Sequence, residues 1–187
     1  MTREEAEKEL IAMLEEAEDG PTYSMEEVDA YMRELLHPKN QIYLTGDTHG
    51  RFERIISFCE RQQVQPESSF IILGDVGLNY YGDRRDRRGK DALAQIPITF
   101  FCIHGNHEMR PSEELGYQVK EYHGGKVWVQ PEYPNLVFAI DGDIYDFFGH
   151  SCIVIGGAYS VDKYYRLARG YNWFEDEQPS DEIKEKV

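Results

Sequence analysis

The stretch Ile96-Pro-Ile-Thr-Phe-Phe-Cys-Ile-His-Gly-Asn-His-Glu-Met109 runs from β-formers straight into a glycine, a carboxamide, an imidazole and a carboxylate. Its apolar part is too short for a helix and lacks the alternation of a half-buried strand. It therefore reads as a strand covered on both faces, with metal-ligating atoms crowded onto its end.

The same arrangement occurs twice upstream. Ile42-Tyr-Leu44 ends in Thr45-Gly-Asp-Thr-His-Gly50, and Phe70-Ile-Ile-Leu73 ends in Gly74-Asp-Val-Gly77. Between them Phe52, Ile55, Ile56 and Phe58 ride a helix up to Arg61. Strand, glycine turn and helix in succession predict an α/β fold built on a parallel sheet covered on both sides. Beyond Met109 the apolar runs Val127–Val129, Leu136–Ile140, Ile144–Phe148 and Cys152–Ile155 follow with tight turns at Asp141-Gly-Asp143 and Gly149-His-Ser151. They predict antiparallel strands in a second sheet layer.

Residues 1–38 have a different rhythm. Thr2-Arg-Glu-Glu5 and Ser24-Met-Glu-Glu27 both have the capping-box form, Asp19-Gly-Pro-Thr-Tyr23 is turn chemistry, and His37-Pro38 closes the segment. An acidic helical hairpin is expected here, too small to be stable alone, docked on the remaining 39–187 domain or on a partner. Of the formal charge of −15, residues 1–36 carry −9 (twelve acidic against three basic) and residues 174–187 carry −4. Acidic ends repel phosphates, which argues against duplex nucleic acid as a partner but not against a small phosphorylated ligand in the nearly neutral middle. No apolar run approaches the ~20 residues a membrane span requires. Cys59, Cys102 and Cys152 are widely spaced, as expected of free thiols in a reducing, cytoplasmic compartment.

Ligands in open α/β sheets gather outside the carboxyl ends of the strands. Asp47, His49, Asp75, Asn106 and His107 should therefore converge on one crevice. Carboxylate, imidazole and carboxamide donors suit divalent zinc, manganese, iron or nickel. An aspartate between two such groups can bridge two metals, the role Asp75 would take, and the reaction this chemistry points to is phosphoester hydrolysis.

Asp47-x-His49, Gly74-Asp75 and Gly105-Asn-His-Glu108, in that order and at near-equal intervals, resemble the first three motifs of the calcineurin-like metallophosphoesterases. The resemblance covers roughly residues 40–175. It implies the family's β-sandwich flanked by helices and a site for two divalent metal ions. Asp47 and His49 would be ligands of one metal, Asp75 the bridge, and Asn106 a ligand of the second. His107 would be the acid over the leaving group. Glu108 would hold a ligating or catalytic imidazole in place.

Two departures from the family pattern stand out. Asp75 is followed by Val-Gly-Leu-Asn-Tyr-Tyr81 rather than Asp-Arg-Gly, so the arginine expected to grip phosphate is displaced; Arg84, Arg85, Arg87 and Arg88 either supply it or, the preferred reading, form a solvated charged turn. The family's two distal histidine motifs do not follow Gly156-Gly-Ala-Tyr-Ser160, so the domain is expected to be C-terminally truncated. His37, His123 and His150 read as surface residues. The aromatic stretch Tyr159–Phe174 resembles one found in a bacterial and phage branch of the family. It would be a packing flap or a rim loop in which Tyr159 and Arg166 bind substrate. Two readings follow from the resemblance. One is a metal-dependent phosphoesterase acting on a phosphorylated small molecule, nucleotide or phosphoprotein. The other is a weakened relative serving as a binding or regulatory module.

Overall fold

The three apolar runs become β1 (Ile42–Gly46), β2 (Ser69–Leu73) and β3 (Thr99–Ile103), paired in parallel with β2 in the middle. In the computed structural model the described residues are 3–16, 23–36 and 40–187. They fall into two compact units, Met1–Lys39 and Asn40–Val187.

The first unit holds α1 (Arg3–Glu16) and α2 (Met25–Leu36). Ser24 and Glu27 cap α2 reciprocally. The Ser24 N–H donates to Glu27 Oε2 at 2.7 Å and the Glu27 N–H donates to Ser24 Oγ at 3.2 Å. The capping box expected at Thr2, the turn at 19–22 and the His37-Pro38 stop lie outside the described residues.

In the second unit α3 (Glu53–Gln62) connects β1 to β2 and α4 (Arg84–Ala94) connects β2 to β3. The sheet then takes an unexpected turn. β6 (Leu136–Ala139) pairs in parallel with β3, and β5 (Gly125–Val129) and β4 (Gln118–Tyr122) continue antiparallel from it, giving the order β1-β2-β3-β6-β5-β4. The second layer is thus only the hairpin of β7 (Ile144–Phe147) and β8 (His150–Ile153), and its turn sits at Phe148-Gly149, one residue earlier than expected. The fold is the expected mixed α/β architecture of a central sheet with flanking helices, with the two layers unequal in width.

Side-chain alternation sorts the core onto the two faces of the main sheet. Phe70, Ile72, Phe100 and Cys102 join Phe52, Ile55, Leu78 and Leu93 on the face carrying α3 and α4. Ile71 and Phe101 point the other way and pack with Val127, Val137, Tyr145 and Phe147. Both sides of β2 and β3 are therefore buried, which is why these strands read as unbroken apolar runs. Cys59 and Cys102 are buried thiols, whereas Cys152 is exposed. No helix among the described residues is long and apolar enough to cross a membrane.

Candidate metal centre

Parallel pairing brings the carboxyl ends of β1, β2 and β3 side by side, and hydrogen bonding continues past the strands into the loops. The Asp47 N–H donates to Gly74 O, His49 N–H to Asp75 O, Gly50 N–H to Val76 O and Gly74 N–H to Ile103 O, all at 2.7–3.1 Å. The loops are also in direct contact. A Cβ on Gly105 would collide with the Asp75 backbone nitrogen and carboxylate, and one on Gly77 would strike Gly50, so only glycine lets the three turns stack.

In this frame Asp47 (φ 55°), His49 (φ 46°) and Asp75 (φ 45°) all adopt the left-handed conformation that side-chain-bearing residues avoid. Such strain clusters at functional sites, where surrounding contacts enforce it. The outcome is that ligand atoms of His49, Asp75 and His107 lie within 4.8 Å of one another. His49 Nε2 stands 2.8 Å from Asp47 Oδ1 and 3.9 Å from Asp75 Oδ2, between two carboxylates. Asp75 Oδ1 accepts the His107 backbone N–H at 2.9 Å, and its Oδ2 is 3.7 Å from His107 Nδ1.

Two hollows open at the site. A cavity of about 360 Å³ is lined by Asp47, Asp75, Asn106, His104 and the Ile155–Ala158 strand exit. A larger cleft of about 640 Å³ is lined by His49, His107, Asp162, Arg166 and a group of tyrosines. The donor set fits divalent cations: carboxylate oxygens and imidazole nitrogens converge with the spacing a shared ion requires, and the Asn106 side-chain amide donates to Ser160 Oγ at 2.9 Å, which fixes its orientation beside Asp47 and Asp75.

The structure differs from sequence expectation at several points. Among the described residues the Glu108 carboxylate holds no imidazole. The side chain is fully buried, and it accepts the backbone N–H groups of Val76 (3.0 Å), Gly77 (3.0 Å) and Gly105 (3.1 Å), clamping the second loop to the third. Burial outweighs those bonds and pushes its pKa up to about 7. The imidazole near it is His104, whose Nε2 lies 2.9 Å from the Glu108 carbonyl oxygen. Burial, chiefly, lowers the His104 pKa to about 3, so the ring is neutral and Nε2 carries the proton. Tyr159 is exposed and does not line the tyrosine cleft, whose tyrosines near α5 (Lys163–Arg169) are Tyr165 and Tyr171. Arg166 does line it. It is only 5% exposed and is held by Nε donating to Asn172 O at 2.8 Å. The arginines 84–88 form the start of α4, capped by Asp83, rather than a turn; of these Arg85 and Arg88 line the cleft.

Ser160 and Asp162 are additions. Asp162 Oδ1 stands 3.9 Å from His107 Nε2, so His107 lies between two carboxylates as His49 does. No sequence signal marks them, since their value depends on where α5 packs. Burial lowers the His107 pKa, the Asp75 and Asp162 carboxylates oppose that shift, and Arg166 reinforces it. His123 and His150 lie away from the centre. His123 is bonded through Nδ1 to Asp146 O and His150 is exposed on β8, while His37 lies outside the described residues.

An α/β sheet whose strand ends gather aspartate, histidine and asparagine defines a metallophosphoesterase-type protein. A family model for calcineurin-like phosphoesterases matches residues 41–186, and the chain belongs to that family. No solved structure matches the chain.

Proposed function

We propose that the protein is a metal-dependent phosphoesterase that hydrolyses a phosphate ester by attack of an activated water. The observation that carries this reading is the convergence of His49, Asp75 and His107 at the ends of three adjacent parallel strands. Divalent ions, manganese among the candidates, would be held by Asp47, His49, Asp75 and Asn106, with Asp75 between the two positions. When bound they acidify water and offset phosphate charge.

The chain's own groups do the rest. Asp75 accepts the His107 backbone N–H and so fixes the loop that carries the imidazole. With Nδ1 turned toward Asp75, the His107 Nε2 faces the cleft beside Asp162 and is placed to give a proton to the leaving oxygen. Burial lowers the His107 pKa, which makes the protonated ring a stronger acid and its protonated share smaller. Arg166, in the same cleft and held by Asn172, supplies the fixed positive charge for a phosphate oxygen that the second motif lacks.

The test is hydrolysis of a generic phosphate ester with added manganese, before and after chelation, by the parent chain and Asp75→Asn. Chelator should abolish turnover, and Asp75→Asn should lose both metal and activity. An Asp75→Asn protein that binds manganese as tightly as the parent would remove the bridging role.

A further inference from the structure

The cleft beside His107 is far larger than a phosphate needs, and aromatic rings make up much of its lining. Tyr80, Tyr81, Tyr165 and Tyr171 line it, with Phe52 in its floor. Tyr165 and Tyr171 are more than half exposed, with ring centroids 6.3 Å apart and planes at 64°, and the Arg169 guanidinium lies 5.6 Å over the Tyr165 ring. The Arg85 guanidinium already covers one face of Tyr81 at 3.5 Å, evidence that these rings attract flat, electron-poor partners.

Two further lining residues narrow the choice. The Arg88 and Glu53 side chains are exposed at the cleft and make no hydrogen bond or ion pair among the described residues. A plain phenyl ring would desolvate both without satisfying either. A nucleobase presents donors and acceptors on its edge and a π face for stacking, so it answers both kinds of group.

We infer that the tyrosine cleft is a slot for the base of a nucleotide whose phosphate lies at His107 and Arg166. This rests on the phosphoesterase reading for the phosphate end, and on the ring walls alone for the base end.

Two measurements on the full chain separate those ends. The first is the ratio of kcat/KM for adenosine monophosphate to that for glycerol phosphate with manganese present. Base stacking contributes enough that Tyr165→Ala combined with Tyr171→Ala should lower this ratio at least about fivefold, while Tyr165→Phe keeps it. The second is saturation-transfer NMR with adenosine, which has no phosphate, in metal-free protein; binding should be saturable and weakened in the double variant. Adenosine bound but no ester hydrolysed would overturn the phosphoesterase reading and retain the slot. Esters hydrolysed without preference for the nucleotide, a ratio the double variant leaves unmoved, or faster turnover of a phosphotyrosine peptide would overturn the slot and retain the phosphoesterase.

Discussion

Asp47 is the residue at which function and stability are most directly opposed. Its side chain is 80% exposed and pairs with His49, yet its backbone sits at φ 55°. A side chain there costs about 1–2 kcal/mol, part of which glycine would return as extra freedom of the unfolded chain. Asp47→Gly should therefore keep the denaturation midpoint of metal-free protein or raise stability by up to about 1 kcal/mol, while weakening manganese binding measured by calorimetric titration. A marked loss of stability would show that the loop does not carry this strain. Glu108 is the opposite case, with two buried N–H groups and one half-buried N–H group depending on one carboxylate. Glu108→Ala leaves all three without a partner and should cost at least about 3 kcal/mol in chemical denaturation, whereas Glu108→Gln, which keeps one acceptor oxygen, should cost less. The meeting of His49, Asp75 and His107 was legible in the sequence because strand ends fix where loops go. The Glu108 clamp was not, since its partners are backbone amides, which no residue type advertises.

At the level of elements, α4 shows why periodicity hid a helix. Its buried stripe is Asp86, Lys90 and Leu93, so the face that should read as apolar is two-thirds charged. Asp86 is satisfied by the Tyr81 and Gly82 N–H groups, and Lys90 Nζ donates to Asn79 Oδ1 at 3.0 Å and Gln130 Oε1 at 2.8 Å. β4 was missed for a related reason: Gln118-Val-Lys-Glu-Tyr122 is an edge strand with most residues exposed, so it offers no apolar run. β2, β3 and α3 were legible because burial imposes their pattern, and the edge strand β1 because Ile42-Tyr-Leu44 runs into the same kind of glycine turn. The cost of the charged stripe is measurable. Burial lowers the Lys90 pKa from 10.5 to about 8. Below about pH 8 both folded and unfolded states hold the proton and the full penalty applies. Between about pH 8 and 10.5 the unfolded chain binds a proton that the native state has released, so stability rises with pH. Relative to Lys90→Met, the parent should gain stability on going from about pH 7.5 to about 9.5, toward a limit of about 3 kcal/mol. A constant difference across that range would mean Lys90 keeps an ordinary affinity for its proton.

For the molecule as a whole, a net charge of −15 sets the approach of any anionic substrate. The field of the summed charges slows association of a phosphate ester, and salt shortens its reach from about 30 Å at 0.01 M to about 8 Å at 0.15 M. Raising salt through that range should therefore increase kcat/KM for a nucleotide, the reverse of the behaviour of a basic phosphate-binding protein. Binding of uncharged adenosine should be nearly insensitive to the same change, which separates long-range repulsion from any effect of salt on the cleft itself. Glu9, Glu26, Asp29 and Glu34 are exposed on α1 and α2 and serve as a handle. Replacing them with glutamine or asparagine takes the formal charge from −15 to −11. The salt dependence should become shallower, while kcat/KM at about 0.15 M salt, where screening already removes most of the long-range field, changes little. If nucleotide turnover instead falls as salt rises in both proteins, local attraction at Arg166 and the metal positions outweighs the summed negative charge, and the acidic N-terminal segment has no part in governing access to the site.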